Sequence, residues 1–136
     1  MGVRYLLFRI SDKFYLCPEE KVQKVLPFSY EELHKSPYGP EHLTHLLLYD
    51  NEFIPLLNIE EAKKKYEQKT ILTVIIKKML FYVAIAIDEV VKFIEIESDK
   101  IDSALEVPQR FTKKALDYNG RECYLLDIDA LFSGEE

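Results

Sequence analysis

Short apolar runs separated by turn residues fill most of the chain, and this pattern predicts an all-β fold. The central example joins two apolar arms, residues 46–49 and 53–57, across Asp50-Asn51. Asp and Asn tolerate the left-handed backbone conformation of a two-residue hairpin turn. We therefore predict a hairpin here. Proline has no N–H to donate, so we expect Pro55 at a sheet edge or a bulge.

The same pattern predicts a further set of short strands along the chain. They cover residues 4–10, 14–17, 21–26, 70–76, 81–87, 90–96, 111–118 and 123–128. Residues 70–76 are nearly all apolar and rich in β-branched side chains, which indicates burial on both faces. Asn119-Gly120 precedes the last strand and is a strong hairpin signal. About nine or ten strands result, which is typical of barrels and sandwiches.

The remaining segments are predicted to be turns, loops or short helices. We expect the third strand to end at Pro27 and loops or turns to occupy residues 29–40, 77–78, 98–100 and 102–108. We expect helical turns after Pro18, at residues 41–44, and at residues 60–66 after an Asn58 cap with Glu61. Asp127 or Asp129 caps a final short helix.

Size and charge narrow the functional class. The chain has 136 residues, of which 48% are hydrophobic, and a net charge of −6. This length indicates one domain, or two very small subdomains that share a core. The acidic balance argues against nucleic acid, whose phosphates need a basic surface. No apolar run reaches the roughly 20 residues of a membrane span and no signal peptide is evident. We therefore expect a cytoplasmic protein without membrane insertion.

Candidate metal and redox groups are few. Cys17 and Cys123 lie far apart in apolar strand patterns, so we interpret them as core thiols in a reducing compartment. His34, His42 and His45 form the only histidine cluster, but their spacing fits no zinc pattern. We expect surface or loop histidines, no bound metal and no cofactor.

No residue pattern indicates catalysis. The acid pairs Glu60-Glu61 and Asp127/Asp129 lie where helices begin, and capping explains both. No serine has the glycine-flanked elbow of a hydrolase. Tyr49 and Phe53 flank the central turn, and either a core position or a partner contact fits them. The chain is therefore predicted to be a binding or scaffolding module.

Several motifs, taken in order, resemble a known family. Residues 5–10, 14–16 and 21–25 are similar to its opening strands, and residues 37–43 to its proline-bracketed loop. Residues 53–59 resemble its isoleucine–proline strand, residues 84–90 its apolar run ending in Asp-x-Val, and residues 119–131 its closing hairpin and helix. This is the CheW-like domain, the adaptor that couples bacterial chemoreceptors to the histidine kinase CheA.

The resemblance implies a fold, partners and a binding surface. The expected fold is two small five-stranded barrels packed together as one domain over residues 1–136, with a subdomain boundary near residues 66–71. Members bind and do not catalyse. One surface docks on the kinase regulatory domain, and a groove near the opening strands and central hairpin receives the receptor tip. The corresponding partner-binding residues here are Val22, Lys24, His45, Tyr49, Asp50 and Asn51.

The chain departs from the family at that surface. The usual arginine and glycine at the hairpin turn are Asp50 and Asn51, and the usual acid after Val-Gln is Lys24, so the charges at Asp50 and Lys24 are reversed. The usual Gly-Val before the hairpin is His45-Leu46. We therefore expect a divergent adaptor with an unusual receptor or kinase. One alternative is a CheW-like module of a different sensory pathway. The other is a small hydrolase, which the lack of a nucleophile–base pair disfavours.

Overall fold

The computed structural model describes residues 2–29, 33–35, 43–59, 70–109 and 111–133, and strands dominate these ranges. The strands are β1 (Gly2–Ile10), β2 (Lys13–Pro18), β3 (Val22–Ser29), β4 (Leu33–Lys35), β5 (Leu43–Tyr49), β6 (Glu52–Leu57), β7 (Thr70–Lys78), β8 (Phe81–Ile87), β9 (Glu89–Glu97), β10 (Leu105–Gln109), β11 (Thr112–Tyr118) and β12 (Arg121–Leu126). The helices are a 3-10 turn (Glu19–Lys21), α1 (Ser98–Asp102) and α2 (Ile128–Ser133). The all-β prediction is confirmed.

The described strands form two six-stranded sheets. Sheet A has the order β10-β11-β12-β2-β1-β9, and sheet B has the order β3-β7-β8-β6-β5-β4. The chain therefore leaves sheet A after β2, builds all of sheet B, and returns to sheet A at β9. The expected boundary near residues 66–71 coincides with no change of sheet, because β6 and β7 both belong to sheet B. That the chain is a single domain stays a prediction.

Each sheet has one strand more than the five expected. The additional strands are the edge strands β4 and β10, which lie in stretches predicted to be loops. Pro108 does not end a linker but lies within β10, where an edge position leaves its missing N–H without consequence. Leu43 and Thr44, expected in a helical turn, begin β5. Short edge strands with polar residues or proline carry little strand signal in sequence.

The two other prolines in strands also differ from expectation. Pro27 does not end β3, which continues to Ser29 and pairs with β7 on one side only. Pro55 is not at a sheet edge, because β6 lies between β5 and β8. Its pairing with β8 is confined to Leu56 and Leu57, so β6 has no β8 partner at Pro55. A proline therefore fits at both positions.

Two of the predicted turns are present in the structure, and two others are not. Asp50-Asn51 and Asn119-Gly120 form the predicted turns, and all four residues have positive φ. Lys77-Lys78 is not a turn, because both lysines belong to β7. Met79 and Leu80 turn the chain instead. Residues 98–100, expected to be a turn, begin α1.

The buried apolar side chains form three layers, and one of them joins the two sheets. The middle layer, between the sheets, contains Leu6, Phe8 and Ile10 of β1 against Val83, Ile85 and Ile87 of β8. Alternate residues of the same strands face away from it, into the interior of sheet A or of sheet B. Strand β8 is thus buried on both faces, as is the middle of β7. The two sheets share one core.

The structure tests the predicted cap of the final helix but not the predicted helix at residues 60–66. Asp127, rather than Asp129, caps α2, because its Oδ1 accepts a hydrogen bond from the backbone N–H of Ala130 at 3.3 Å. The predicted helix at residues 60–66 and the loop at residues 37–40 lie outside the described residues.

Candidate functional site

The six residues expected to bind partners all lie in or next to sheet B. Val22 and Lys24 are in β3, His45 and Tyr49 are in β5, and Asp50-Asn51 is the turn between β5 and β6. Strands β3 and β5 are separated in the sheet by β7, β8 and β6. A hydrogen bond nevertheless joins the side chains of Gln23 and Tyr49. Sheet B is therefore curled, and its curl brings the beginning of β3 to the end of β5.

Not all six residues lie at this junction in the same way. Lys24, Asp50 and Asn51 are exposed, and Tyr49 is partly buried. His45 precedes Tyr49 by four residues, about 13 Å along an extended strand, so it lies away from the turn. Val22 is partly buried and packs against the core between the sheets. Tyr49, Asp50 and Asn51 therefore lie together at the turn, Lys24 follows the residue that is bonded to Tyr49, and Val22 has a packing role.

A second hairpin lies next to the predicted one. Strands β6 and β8 are parallel and pair Leu56 with Ala84. The ring centroids of Tyr49 and Tyr82 are 5.2 Å apart in an edge-on arrangement. The turns of the β5–β6 and β7–β8 hairpins thus lie at the same end of sheet B.

Exposed apolar side chains concentrate on these two hairpins. Five of the eight large hydrophobic side chains that are exposed in the described residues lie here. They are accompanied by the polar residues of the predicted turn. Together they form what we call the hairpin-tip surface, which consists of Leu48, Tyr49, Asp50, Asn51, Phe53, Met79, Leu80 and Phe81. Tyr49, Asp50 and Asn51 were predicted partner contacts and Phe53 was a candidate contact, whereas the other four residues were not predicted.

The polar groups of this surface favour recognition over proton transfer. Burial raises the pKa of the Tyr49 hydroxyl, and the neighbouring Tyr82 and Asp50 raise it further, against the hydrogen bond with Gln23. Tyr49 therefore keeps its proton at neutral pH. The Nζ atom of Lys77 lies 5.5 Å from the centre of the Tyr82 ring, a cation–π contact. These groups can bind a partner through a hydrogen bond, an aromatic edge and a cation–π contact.

An ion pair lies next to the turn of the β7–β8 hairpin. Lys78 Nζ donates to Asp129 Oδ1 of α2. This hydrogen bond and the charge of Lys78 hold the pKa of Asp129 below its usual value, and Lys113 and Lys21 lower it further. Three lysines therefore surround one exposed carboxylate here. The chain is acidic overall, but this region beside the hairpin-tip surface is locally basic.

The cysteines have no reactive environment. Both side chains are fully buried and free. Burial raises the pKa of the Cys17 thiol to about 12 and that of Cys123 to about 11. A thiol attacks or binds metal as the thiolate, so both groups are inert at neutral pH. The prediction that they are core thiols is confirmed, whereas the absence of a redox function stays a prediction.

Metal and membrane features can be stated for the described ranges only. There, no group of three or more His, Cys, Asp or Glu side chains is arranged to hold a metal ion. His42 and the side chain of His34 lie outside the described residues. None of the helices in these ranges is long and apolar enough to cross a membrane.

Comparison with known proteins identifies relatives at the level of family and fold. The model of the CheW-like domain family matches residues 4–136. The structure is similar to that of the scaffolding protein TtCheW from Thermoanaerobacter tengcongensis, with a TM-score of 0.78 at 16% sequence identity. The similarity covers 100% of this chain and 97% of TtCheW. No curated protein matches the chain in sequence.

Proposed function

This chain belongs to the CheW-like domain family, and from that premise we propose that it is a non-catalytic adaptor in chemosensory signalling. It would couple a chemoreceptor tip to the regulatory domain of a CheA-type histidine kinase through protein–protein contacts. The observation that carries the proposal is the hairpin-tip surface, where exposed apolar side chains surround a charged turn. Apolar patches rimmed by polar groups are typical of protein interfaces. We expect a cytoplasmic location, no cofactor and no nucleic-acid partner.

The reversed charges specify which partner this surface prefers. Lys24 and Asp50 replace an acid and an arginine of the family pattern, and both are exposed. The hydrogen bond between Gln23 and Tyr49 brings their two segments together. A single partner group near this junction would therefore meet both reversals. We propose that the partner's charges at this contact are inverted relative to those of conventional family complexes.

A charge-restoring variant tests this proposal. Asp50→Arg with Asn51→Gly introduces the usual family residues at the turn. Exposed charges at an interface act mainly on encounter rate and partner choice. We expect the variant to bind more weakly to the kinase domain and receptor tip that are encoded in the same genome as this protein. We expect it to bind more tightly to the kinase domain and receptor tip of a conventional family complex. Isothermal titration calorimetry at two ionic strengths measures all four affinities, and the effect is largest at low salt.

Two control variants separate charge from backbone strain. Asp50 has a φ of 51°, where arginine costs roughly 1–2 kcal/mol, and glycine at position 51 relieves the same strain next to it. Asp50→Asn removes the charge but keeps a residue that favours this conformation. Asp12→Arg makes the same charge reversal in the exposed β1–β2 turn of sheet A. Affinities that all stay within about twofold would show that the turn is not the contact.

A CheW-like module of a different sensory pathway is the second candidate, and the charge reversals favour it. The same titrations distinguish the two. Binding to both a kinase regulatory domain and a receptor tip supports the adaptor. Binding to a receptor-like protein alone supports the different pathway.

A further inference from the structure

The β11–β12 turn contains the one asparagine of this chain that a glycine follows. The sequence has three asparagines, and only Asn119 precedes a glycine, whereas glutamate or isoleucine follows the other two. The backbone nitrogen of a following glycine can attack the asparagine side chain, because glycine has no Cβ to hinder the approach. Asn119 and Gly120 are both exposed, and no atom lies within 4 Å of the position that a Cβ would take at Gly120. Water and base therefore reach the reacting atoms.

The reaction in question is deamidation, which needs no catalyst. The Gly120 nitrogen loses its proton to base and attacks Cγ of Asn119. The bond from Cγ to the side-chain nitrogen breaks, and that nitrogen leaves as ammonia. Water then opens the resulting cyclic imide at either carbonyl, so the net change converts an amide and water into an acid and ammonia. Opening at one carbonyl gives aspartate, and opening at the other gives isoaspartate, whose backbone is longer by a methylene group.

The conformation of the turn holds the reacting atoms apart. Asn119 has a φ of 51° and Gly120 a φ of 80°, the pair of left-handed residues that a type I′ hairpin turn requires. Ring closure needs a rotation about the Cα–C bond of Asn119 that brings the Gly120 nitrogen toward Cγ. This rotation takes the peptide out of the turn and breaks the pairing of Tyr118 with Arg121. Asn119 therefore reacts from an opened turn and not from the closed one.

Neighbouring strands hold both residues that flank the turn. The guanidinium carbon of Arg121 lies 4.0 Å from the centre of the Phe14 ring in β2. On the other arm, the Nζ atom of Lys92 in β9 lies 6.0 Å from the centre of the Tyr118 ring. Behind these residues, the arms of the hairpin are buried in the interior of sheet A. Opening the turn disturbs contacts with two other strands, so the open state is rare.

Asp117 is a second obstacle, and it acts on the nucleophile itself. Its Oδ2 atom accepts a hydrogen bond from the Gly120 N–H at 3.3 Å. Attack requires loss of that proton, and a carboxylate is much too weak a base to remove it. The negative charge of Asp117 instead disfavours the nitrogen anion that the reaction needs. The same hydrogen bond also favours the closed turn.

We propose that Asn119 is a site of spontaneous deamidation that the folded hairpin keeps closed and that Asp117 guards. This inference does not depend on the adaptor function. Deamidation adds a negative charge at the turn, next to the facing carboxylates of Asp117 and Glu122. Isoaspartate also lengthens a two-residue turn that fixes the register of β11 against β12. Each opening of the hairpin therefore carries a chance of permanent chemical damage to sheet A.

The first experiment compares the folded and the unfolded chain. Full-length protein is incubated at neutral pH, either folded in buffer or held unfolded in guanidinium chloride, and mass spectrometry of its peptides follows the conversion at Asn119. Enzymatic methylation of isoaspartate counts the second product. We expect the folded chain to react at least about tenfold more slowly than the unfolded one. Equal rates in the two states would overturn the protection by the turn. Asn51 and Asn58 provide references that stay slow when the chain is unfolded.

A second experiment uses two matched variants to test the role of Asp117. Asp117→Ala and Glu122→Ala each remove one of the two facing carboxylates, and that of Glu122 accepts a hydrogen bond from the Tyr124 hydroxyl at 2.6 Å. We expect folded Asp117→Ala to deamidate at least about threefold faster than the wild type, and Glu122→Ala to stay within about twofold. An unchanged or slower Asp117→Ala variant would overturn the guard.

Hydrogen exchange separates an effect on the nucleophile from an effect on folding. Exchange of the Arg121 N–H measures how often the turn opens in each variant. Faster deamidation of Asp117→Ala that exceeds its increase in exchange supports a direct action on the Gly120 nitrogen. An equal increase in both rates would overturn that action and leave protection to the turn alone. Circular dichroism verifies that each variant is folded.

Discussion

Two hairpins of this molecule are built alike in their strands and differently in their turns. The β11–β12 hairpin turns at Asn119-Gly120, where both residues have positive φ and the Asp117 carboxylate accepts a hydrogen bond from the Gly120 N–H at 3.3 Å. The β7–β8 hairpin turns at Met79-Leu80, with exposed apolar side chains and a left-handed methionine. The first turn follows the sequence preferences of two-residue hairpin turns. The second departs from them in the polarity of its side chains and in the residue type at the left-handed position.

The difference separates residues that serve folding from residues that serve binding. A turn that agrees with local propensity needs no further explanation. A turn that disagrees, in a hairpin whose arms are among the most buried segments, points to a requirement outside the fold. The four predictions below test this separation, beginning with the largest expected effect.

Ile85→Ala should be the most destabilising of these changes. Ile85 is fully buried in the layer between the sheets. Truncation removes apolar contacts and leaves a cavity, so we expect a loss of about 2–5 kcal/mol in the free energy of unfolding. Leu80→Ala, five residues away in the same hairpin, should stay within about 0.5 kcal/mol. Urea unfolding measures both, and a loss below about 0.5 kcal/mol for Ile85→Ala would contradict the shared core.

Gly120→Ala should cost about 1 kcal/mol through the backbone alone. Gly120 has a φ of 80°, and an added Cβ would meet no atom within 4 Å. The expected loss therefore reports the strain of an alanine in the left-handed region and no steric clash. Thermal unfolding of the variant measures it. An unchanged melting temperature would show that this turn has no conformational requirement.

Met79→Gly should increase the free energy of unfolding, in contrast to Gly120→Ala. Glycine relieves the strain at φ 56° but makes the unfolded chain more flexible, so we expect a net gain of about 0.5 kcal/mol. The same variant should bind the partner of the hairpin-tip surface more weakly, because it removes an exposed apolar side chain from that surface. Greater stability with lower affinity would show that this turn favours binding over folding. A destabilised variant would remove the contrast between the two turns.

Cys17→Ala should change how stability depends on alkaline pH, in addition to a pH-independent loss of packing at this buried position. The folded pKa of Cys17 is about 12, against 9.0 for the ordinary thiol. A raised pKa gives a contribution that is complete below pH 9 and is lost as pH rises toward 12. There the wild type should lose up to about 1.4 kcal/mol per pH unit more than the variant. Equal slopes in urea unfolding from pH 8.5 to 11 would contradict the burial of this thiol.

Sequence patterns predicted the central strands of each sheet but missed one edge strand of each, β4 and β10. Alternation identified β1, and an unbroken β-branched run identified β7, because burial imposes these patterns. Strands β4 and β10 were missed because a short edge strand needs neither strict alternation nor an unbroken β-branched run. The turn was placed at Lys77-Lys78 because turns are usually polar, although these lysines complete β7 and leave the apolar residues outside.

The partner surface was predicted only in part, because one of its two hairpins is brought there by strand pairing that is not visible in the sequence. Asp50-Asn51 could be identified because its turn chemistry is visible in the sequence. The neighbouring hairpin could not, because only the parallel pairing of β6 with β8 brings its turn beside the first. A signal was available in hindsight, since Met79-Leu80-Phe81 follows two charged residues inside an apolar stretch. The sequence prediction placed Phe81 in a buried strand and assigned Met79 and Leu80 to no element.

The order in which the chain visits the two sheets has a consequence for its synthesis. All strands of sheet B come from one continuous stretch, whereas β1 must pair with β9, about eighty residues later. A ribosome therefore releases every strand of sheet B before the first residue of β9. Sheet B can therefore form early. Until β9 is synthesised, β1 and β2, with the apolar side chains Leu6, Phe8 and Tyr15, lack the other strands of sheet A. Such delayed long-range pairing slows folding and exposes apolar strands to chaperones. The nascent amino-terminal hairpin is thus the segment that waits longest for its partner.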